Sequence, residues 1–152
     1  MRLFDNKFVV NSSLKEVWAF YTNIRHLEKI TPPKINLRIL YTTSEEIKEA
    51  SETWLTGKII FGMQWHSRIV AFEQHRYVDE MIISDSEKPV FQYWRHEHVF
   101  KGGDSQTIVI DKINFELPYG FIGRVFEAFA VRKLRNVFNY RESATKKQLE
   151  MA

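Results

Sequence analysis

Residues 105–141 read SQTIVIDKINFELPYGFIGRVFEAFAVRKLRNVFNYR, and the fold turns on a change of period in the middle of this stretch. Up to Leu117, the residues Val109, Asp111, Ile113 and Phe115 fall on every second position. That repeat places side chains on one face of a strand. After Pro118 the period becomes helical, and Phe121, Ile122, Val125, Phe126, Phe129, Leu134, Val137, Phe138 and Arg141 trace one stripe. A helix over residues 120–148 would be on the order of 40 Å long, enough to cross a whole sheet. Its apolar stripe must then lie on the apolar face of that sheet.

The sheet itself is read by working backwards. Alternation runs through Ile35, Leu37, Ile39 and Tyr41, and then through segments 52–61, 63–74, 77–84, 90–100 and 105–117. The joints at Gly62, 75–76, 85–89 and 102–104 are short, and short joints imply antiparallel neighbours. At the other end, residues 3–10 read as a strand. Ser13 and Glu16 fit a capping box, with Leu14, Val17, Trp18, Tyr21 and Ile24 recurring behind it at helical spacing. A second short helix over 24–30 is stopped by Thr31-Pro32-Pro33, because proline disfavours helical geometry in the residue before it. The expectation is an α+β domain over residues 1–152, with one curved antiparallel sheet, two short N-terminal helices and a long C-terminal helix.

Composition narrows the chemistry. The 152 residues include no cysteine, which excludes a disulfide scaffold, a thiolate metal site and a thiol nucleophile. The 12 Phe, 6 Tyr and 4 Trp make aromatic residues 14% of the chain, many for a sheet with one covering helix. The formal charge of +3 is mild for a nucleic-acid binder, and no such partner is expected. Residues 119–152 carry seven basic side chains against three acidic ones, a net +4, so all the excess sits in the C-terminal segment. A solvated helix face explains this, and contact with an anionic membrane surface is the alternative. The N-terminus lacks the apolar stretch of a signal peptide, so a cytoplasmic location is expected. The glycines of 118–123 have neither the spacing nor the ending of a phosphate loop. No Gly-x-Ser-x-Gly elbow is present either.

Several local motifs are more specific: Val17-Trp18-Ala19-Phe20, Leu27 with Thr31-Pro32-Pro33, Trp65 with Ile69, Val78-Asp79, and the run from Trp94 to Phe100. Asp111 with Leu117–Gly123 and Val137-Phe138-Asn139-Tyr140-Arg141 complete the set. In this order they resemble the START-like (SRPBCC) superfamily of helix-grip proteins, and more closely its small prokaryotic members related to polyketide cyclases. The resemblance covers essentially the whole chain. It implies a helix-grip fold with a hydrophobic cavity between sheet and C-terminal helix, and it implies no metal. The superfamily includes lipid carriers, hormone receptors, quinone-binding proteins and cyclases, so the fold does not set the chemistry.

The strongest polar constellation is Trp94-x-His96-x-His98-x-Phe100, four residues on one face of a strand. Pairing with the next strand would bring Asp111 near His96 or His98. Three readings follow. The two imidazoles with Asp111 or Asp79 could form a facial metal site, although the expectation is no metal and no cofactor. Asp111 could orient an imidazole for acid–base work on a carbonyl substrate, as a cyclase, aromatase or dehydratase would require. Or the cluster satisfies its own polar groups and contacts a ligand without catalysis, the reading adopted here. Trp65 and Trp94 are the expected cavity lining, with Phe115, Phe126 and Phe129 opposite and Tyr140 and Arg141 adding a hydroxyl and a cation. Arg141 is also expected to pair with a sheet carboxylate such as Asp111. The resulting expectation is a domain that binds a small or medium hydrophobic ligand (lipid, polyketide or quinone-like), with the enzyme as the alternative.

Overall fold

The computed structural model describes residues 1–58, 62–83 and 90–150. The expected joint at 85–89 and the strand ends at 59–61 and 84 lie outside the described residues. The chain runs β1 (Arg2–Val10), α1 (Leu14–Tyr21), two 3-10 turns (Ile24–Glu28 and Pro33–Ile35), β2 (Arg38–Thr42), β3 (Glu52–Lys58) and β4 (Gly62–Glu73). It continues with β5 (Arg76–Met81), β6 (Tyr93–Gly102), β7 (Thr107–Glu116), α2 (Gly120–Val125) and α3 (Glu127–Glu150). Among the described residues the seven strands form one curved antiparallel sheet in the order β1-β7-β6-β5-β4-β3-β2. The second N-terminal helix is therefore a 3-10 turn rather than an α-helix, held by Asn23 Oδ1 accepting from the Arg25 amide.

Two apolar clusters divide the concave face. One lies under α1 and joins Phe8, Val17, Tyr21, Ile69, Phe100 and Val109. The other lies under α3 and joins Phe4, Phe91, Trp94, Phe115, Leu134 and Phe138. Strand β6 contributes Phe100 to the first and Trp94 to the second, and β7 contributes Val109 and Phe115 in the same way. Between those anchors both strands place polar residues on the same buried face: His96 and His98 on β6, Asp111 on β7.

Helix α1 starts as its sequence requires, with the Ser13 hydroxyl accepting from the Glu16 amide. The reciprocal half of the capping box is replaced, since the Glu16 carboxylate takes the Ser12 hydroxyl at 2.7 Å. At the other end the expected single helix is broken at Phe126, where φ is −91° and ψ 0°. The chain enters α2 through two left-handed residues, Tyr119 (φ 73°) and Gly120 (φ 54°). The predicted stripe divides around this break. Leu134, Phe138 and Arg141 are buried, whereas Phe121, Ile122, Val125, Phe126 and Phe129 are exposed. The lower half of α3 is fixed by Tyr21 and Thr145, whose hydroxyls bond at 2.7 Å, and by Arg135 donating to Asn6 Oδ1 at 2.9 Å. Among the described residues no helix is long and apolar enough to cross a membrane.

Gly123 shows why this turn has its shape. A Cβ there would run into the backbone carbonyl oxygens of Pro118 and Leu117. We expect Gly123→Ala to cost about 1–3 kcal/mol, the usual cost of forcing an extra carbon into a closed contact. Urea unfolding of the two proteins measures this, and an unchanged midpoint would show that the turn relaxes freely.

Candidate functional site

The site is built at the seam between the two apolar clusters. In the β5–β6–β7 register Asp79 faces His96, Tyr77 faces His98, and His98 faces Asp111. The short contacts, however, run diagonally. His96 Nε2 donates to Asp111 Oδ1 at 2.7 Å, and His98 Nε2 donates to Asp79 Oδ2 at 2.6 Å. The second nitrogen of each ring lies nearer the other carboxylate, at 3.9 Å for His96 Nδ1 to Asp79 and 3.6 Å for His98 Nδ1 to Asp111. The result is a closed quartet in which two imidazoles alternate with two carboxylates. The rings stack face to face with centroids 3.6 Å apart, and Tyr77 extends the stack on the far side of His98 at 4.2 Å.

Electrostatics follow from this burial. Burial pushes the Asp111 carboxyl up, but the hydrogen bond and charge of His96, with His98 and Arg141 beyond, more than offset it and hold it below the usual carboxylate range. Asp79 is lowered against its own burial in the same way, chiefly by the hydrogen bond from His98. His98 is pushed down to about 4 by burial and by the neighbouring His96, which together outweigh the two carboxylates. At neutral pH it is therefore an uncharged imidazole, as two rings stacked this closely require. Burial first, and the adjacent carboxylates second, raise the Tyr21 and Tyr77 phenols, so both remain protonated donors.

A cavity of about 190 Å³ lies against this quartet, lined by the sheet, the N-terminal 3-10 segment and α3. Trp65, Trp94, His96, His98 and Arg141 line it, together with Asp79, Tyr21 and Tyr77. Trp65 and Trp94 meet edge to face at 4.9 Å and form one wall. The other expected site residues lie elsewhere. Asp111 sits behind His96, and Phe115 is fully buried against Phe91 in the α3 cluster. Phe126 and Phe129 face solvent because the chain breaks and turns at Phe126, and Tyr140 lines a separate outer groove. Arg141 forms no ion pair with Asp111. Its guanidinium lies over the Phe138 ring at 4.6 Å, and its Nε has no protein partner among the described residues, nor has Asp111 Oδ2.

Sequence reasoning left Asp79 as an alternative carboxylate, whereas it closes the quartet together with Asp111. It also assigned the opposite wall to Phe115, Phe126 and Phe129, whereas Phe20, Leu27 and Ile30 line the cavity there. The signal was the placement of Tyr77 and Asp79 two apart, on the face that β6 also presents to the interior. For a cation, Asp79, His96 and His98 bring one ligand atom each within 4.8 Å of one another. In the arrangement observed, both imidazole Nε2 atoms are already engaged by carboxylates.

The comparisons agree with this architecture. The chain belongs to the polyketide cyclase/dehydrase and lipid transport family, whose model matches residues 10–139. No curated protein matches it in sequence. Among solved structures it is similar to a START superfamily protein from Mycobacterium smegmatis, at TM-score 0.74 and 10% identity over 98% of this chain and 97% of that one. A protein from Thermus thermophilus aligns at TM-score 0.72 and 9% identity, over 96% and 95%. Truncated norcoclaurine synthase from Thalictrum flavum aligns at 0.71 and 12%, over 97% and 92%. At these identities the likeness is one of fold.

The quartet makes stability depend on pH with a definite sign. An unfolded histidine titrates near 6.5, whereas His98 in the fold titrates at about 4. Between those values the unfolded chain binds more protons, so stability falls as pH drops, by on the order of 3 kcal/mol. Asp79 and Asp111, held low in the fold, extend the loss below the ordinary carboxylate pKa. Urea midpoints measured from neutral pH down to pH about 4 should fall steadily for the parent and stay nearly level for His98→Asn. A parent midpoint that does not move would refute this account.

Proposed function

We propose that this member of the polyketide cyclase/dehydrase and lipid transport family binds a small hydrophobic molecule in the cavity, with one polar atom turned toward the Asp79–His98–His96 end. The observation that carries this reading is a largely apolar chamber closed at one end by a buried polar cluster. Apolar walls supply affinity, and a few fixed polar groups supply orientation. The size of the space narrows the class. An apolar cavity of about 150 Å³ takes benzene, so the chamber here suits a molecule of one or two rings or a short acyl segment. A carbonyl or hydroxyl is the matching polar group, because Arg141, His96, His98 and Asp79 are the polar side chains that line this end of the chamber.

The test is direct. Native mass spectrometry of gently purified protein should reveal a bound small molecule, and 2-naphthol should quench tryptophan emission from the Trp65–Trp94 wall. Trp65→Ala should weaken naphthol binding by about tenfold or more, as expected from losing one buried aromatic wall. No quenching, together with a melting temperature that naphthol leaves unchanged, would sink the proposal.

A second reading is favoured by one feature: both imidazoles line the cavity and each is oriented by its own carboxylate. That is the arrangement of a general base positioned by an acid partner. If the protein moves a proton on a carbonyl substrate, His96→Gln with His98→Gln should reduce turnover of a poly-β-ketone by about 10²–10⁴ while naphthol still binds. Turnover that survives both substitutions removes the catalytic reading and leaves the binding one.

A further inference from the structure

The largest anomaly of the molecule is outside the cavity. Over eleven residues the chain exposes Tyr119, Phe121, Ile122, Val125, Phe126 and Phe129, with Phe121 75% and Phe126 56% accessible. Single exposed apolar residues are ordinary, but a contiguous cluster of large ones marks a surface made for contact. Its surroundings are basic. Arg124, Arg132 and Lys133 lie in or beside it against Glu116 and Glu127. Lys133 Nζ stands 5.4 Å over the Phe129 ring.

The cluster also leads to the cavity. Phe129, Lys133 and Val137 are spaced by four and form one row along α3. Val137 lines the cavity, and with Lys133 and Tyr140 it also lines an outer groove of about 370 Å³. Lys34 and Lys58 stand on the other side of that groove, and Ile35 lines both spaces. Among the described residues none of these three lysines has a carboxylate partner.

We infer that the α2–α3 turn docks on an anionic lipid bilayer, with its aromatic residues in the headgroup region and the lysine-lined groove facing the membrane. Charge complementarity selects this occupant. A second copy of the chain would bring one basic patch against another, whereas an anionic bilayer offers both an apolar layer for the rings and negative charge for the cations. The docked orientation puts the groove beside the cavity within reach of molecules dissolved in the bilayer.

Cosedimentation of the full chain with vesicles tests this. Binding is expected to vesicles of equal parts phosphatidylcholine and phosphatidylglycerol, and not to phosphatidylcholine alone. It should weaken as salt is raised, because exposed charges are screened within about 10 Å. Lys34→Gln with Lys58→Gln and Lys133→Gln should lower vesicle affinity on the order of 100-fold, since each basic residue near an anionic surface contributes about fivefold. Phe121→Asp with Phe126→Asp should abolish binding while leaving the thermal midpoint near that of the parent, both side chains being exposed. Three results would overturn the inference: no binding to the mixed vesicles, equal binding to both vesicle types, or an oligomer in sedimentation velocity that the two aspartates convert to monomer. The salt titration needs no variant, so a misfolded substitution would not leave the question open.

Discussion

Two carboxylates in the middle of the sheet constrain most of what surrounds them. Asp111 is 1% exposed, and the side chain of Asp79 is 16% exposed. Burying an ionised group is costly unless it is paired and hydrogen-bonded. Their partners are His96 and His98, and each can reach a carboxylate only if β5, β6 and β7 keep their observed register. Sliding one strand by a single residue would turn its polar members to the convex face and leave the others unmatched. The quartet therefore specifies pairing at the centre of the sheet, where apolar alternation alone would tolerate more than one alignment.

The same constraint explains why the interior is divided. A continuous apolar core could close over this sheet with α1 and α3 meeting above it. Instead the core is two clusters, one under each helix, because the rows of β6 and β7 change from apolar to polar and back along their length. Space is left where the rows are polar, since neither helix gains by laying an apolar residue on a carboxylate. Arg141 and Thr145 take the facing positions on α3, and Tyr21 and Tyr77 bring phenols from the other side. Cavity and polar cluster thus have one origin.

The strands were legible in the sequence because their residues alternate cleanly, and Pro118 made the change to helix unmistakable. The motif around His96 and His98 was legible because two histidines two apart on a strand must share a face. Which carboxylate each would take was not, since the hydrogen bonds run to diagonal neighbours rather than to the residues directly opposite in the register. The wall made by Phe20, Leu27 and Ile30 was hidden for a different reason. Leu27 lies in a 3-10 turn and Ile30 just beyond it, and such short turns carry no periodic signature. The break at Phe126 was hidden as well, because the apolar period runs through it without interruption.

The C-terminal helix shows what periodicity can and cannot say. One apolar stripe was read from Phe121 to Arg141, and every member of it except Phe126 does belong to a helix. A stripe becomes a core only where something covers it. From Leu134 onward the sheet supplies that cover, and even a guanidinium is buried there, stacked on Phe138. Before Leu134 the helix packs the smaller Ala130 and Val131 against the α3 cluster, while Phe126 and Phe129 turn away and present aromatic rings to solvent. Most of the aromatic residues thereby fall into three populations, namely rings in the two clusters, rings on the cavity wall and rings exposed on the turn, with the Tyr41–Trp54 pair on β2 and β3 standing apart. The third population is the one that folding does not explain. Folding would proceed as well with polar residues at these positions, so their presence is a requirement of the surface and not of the core.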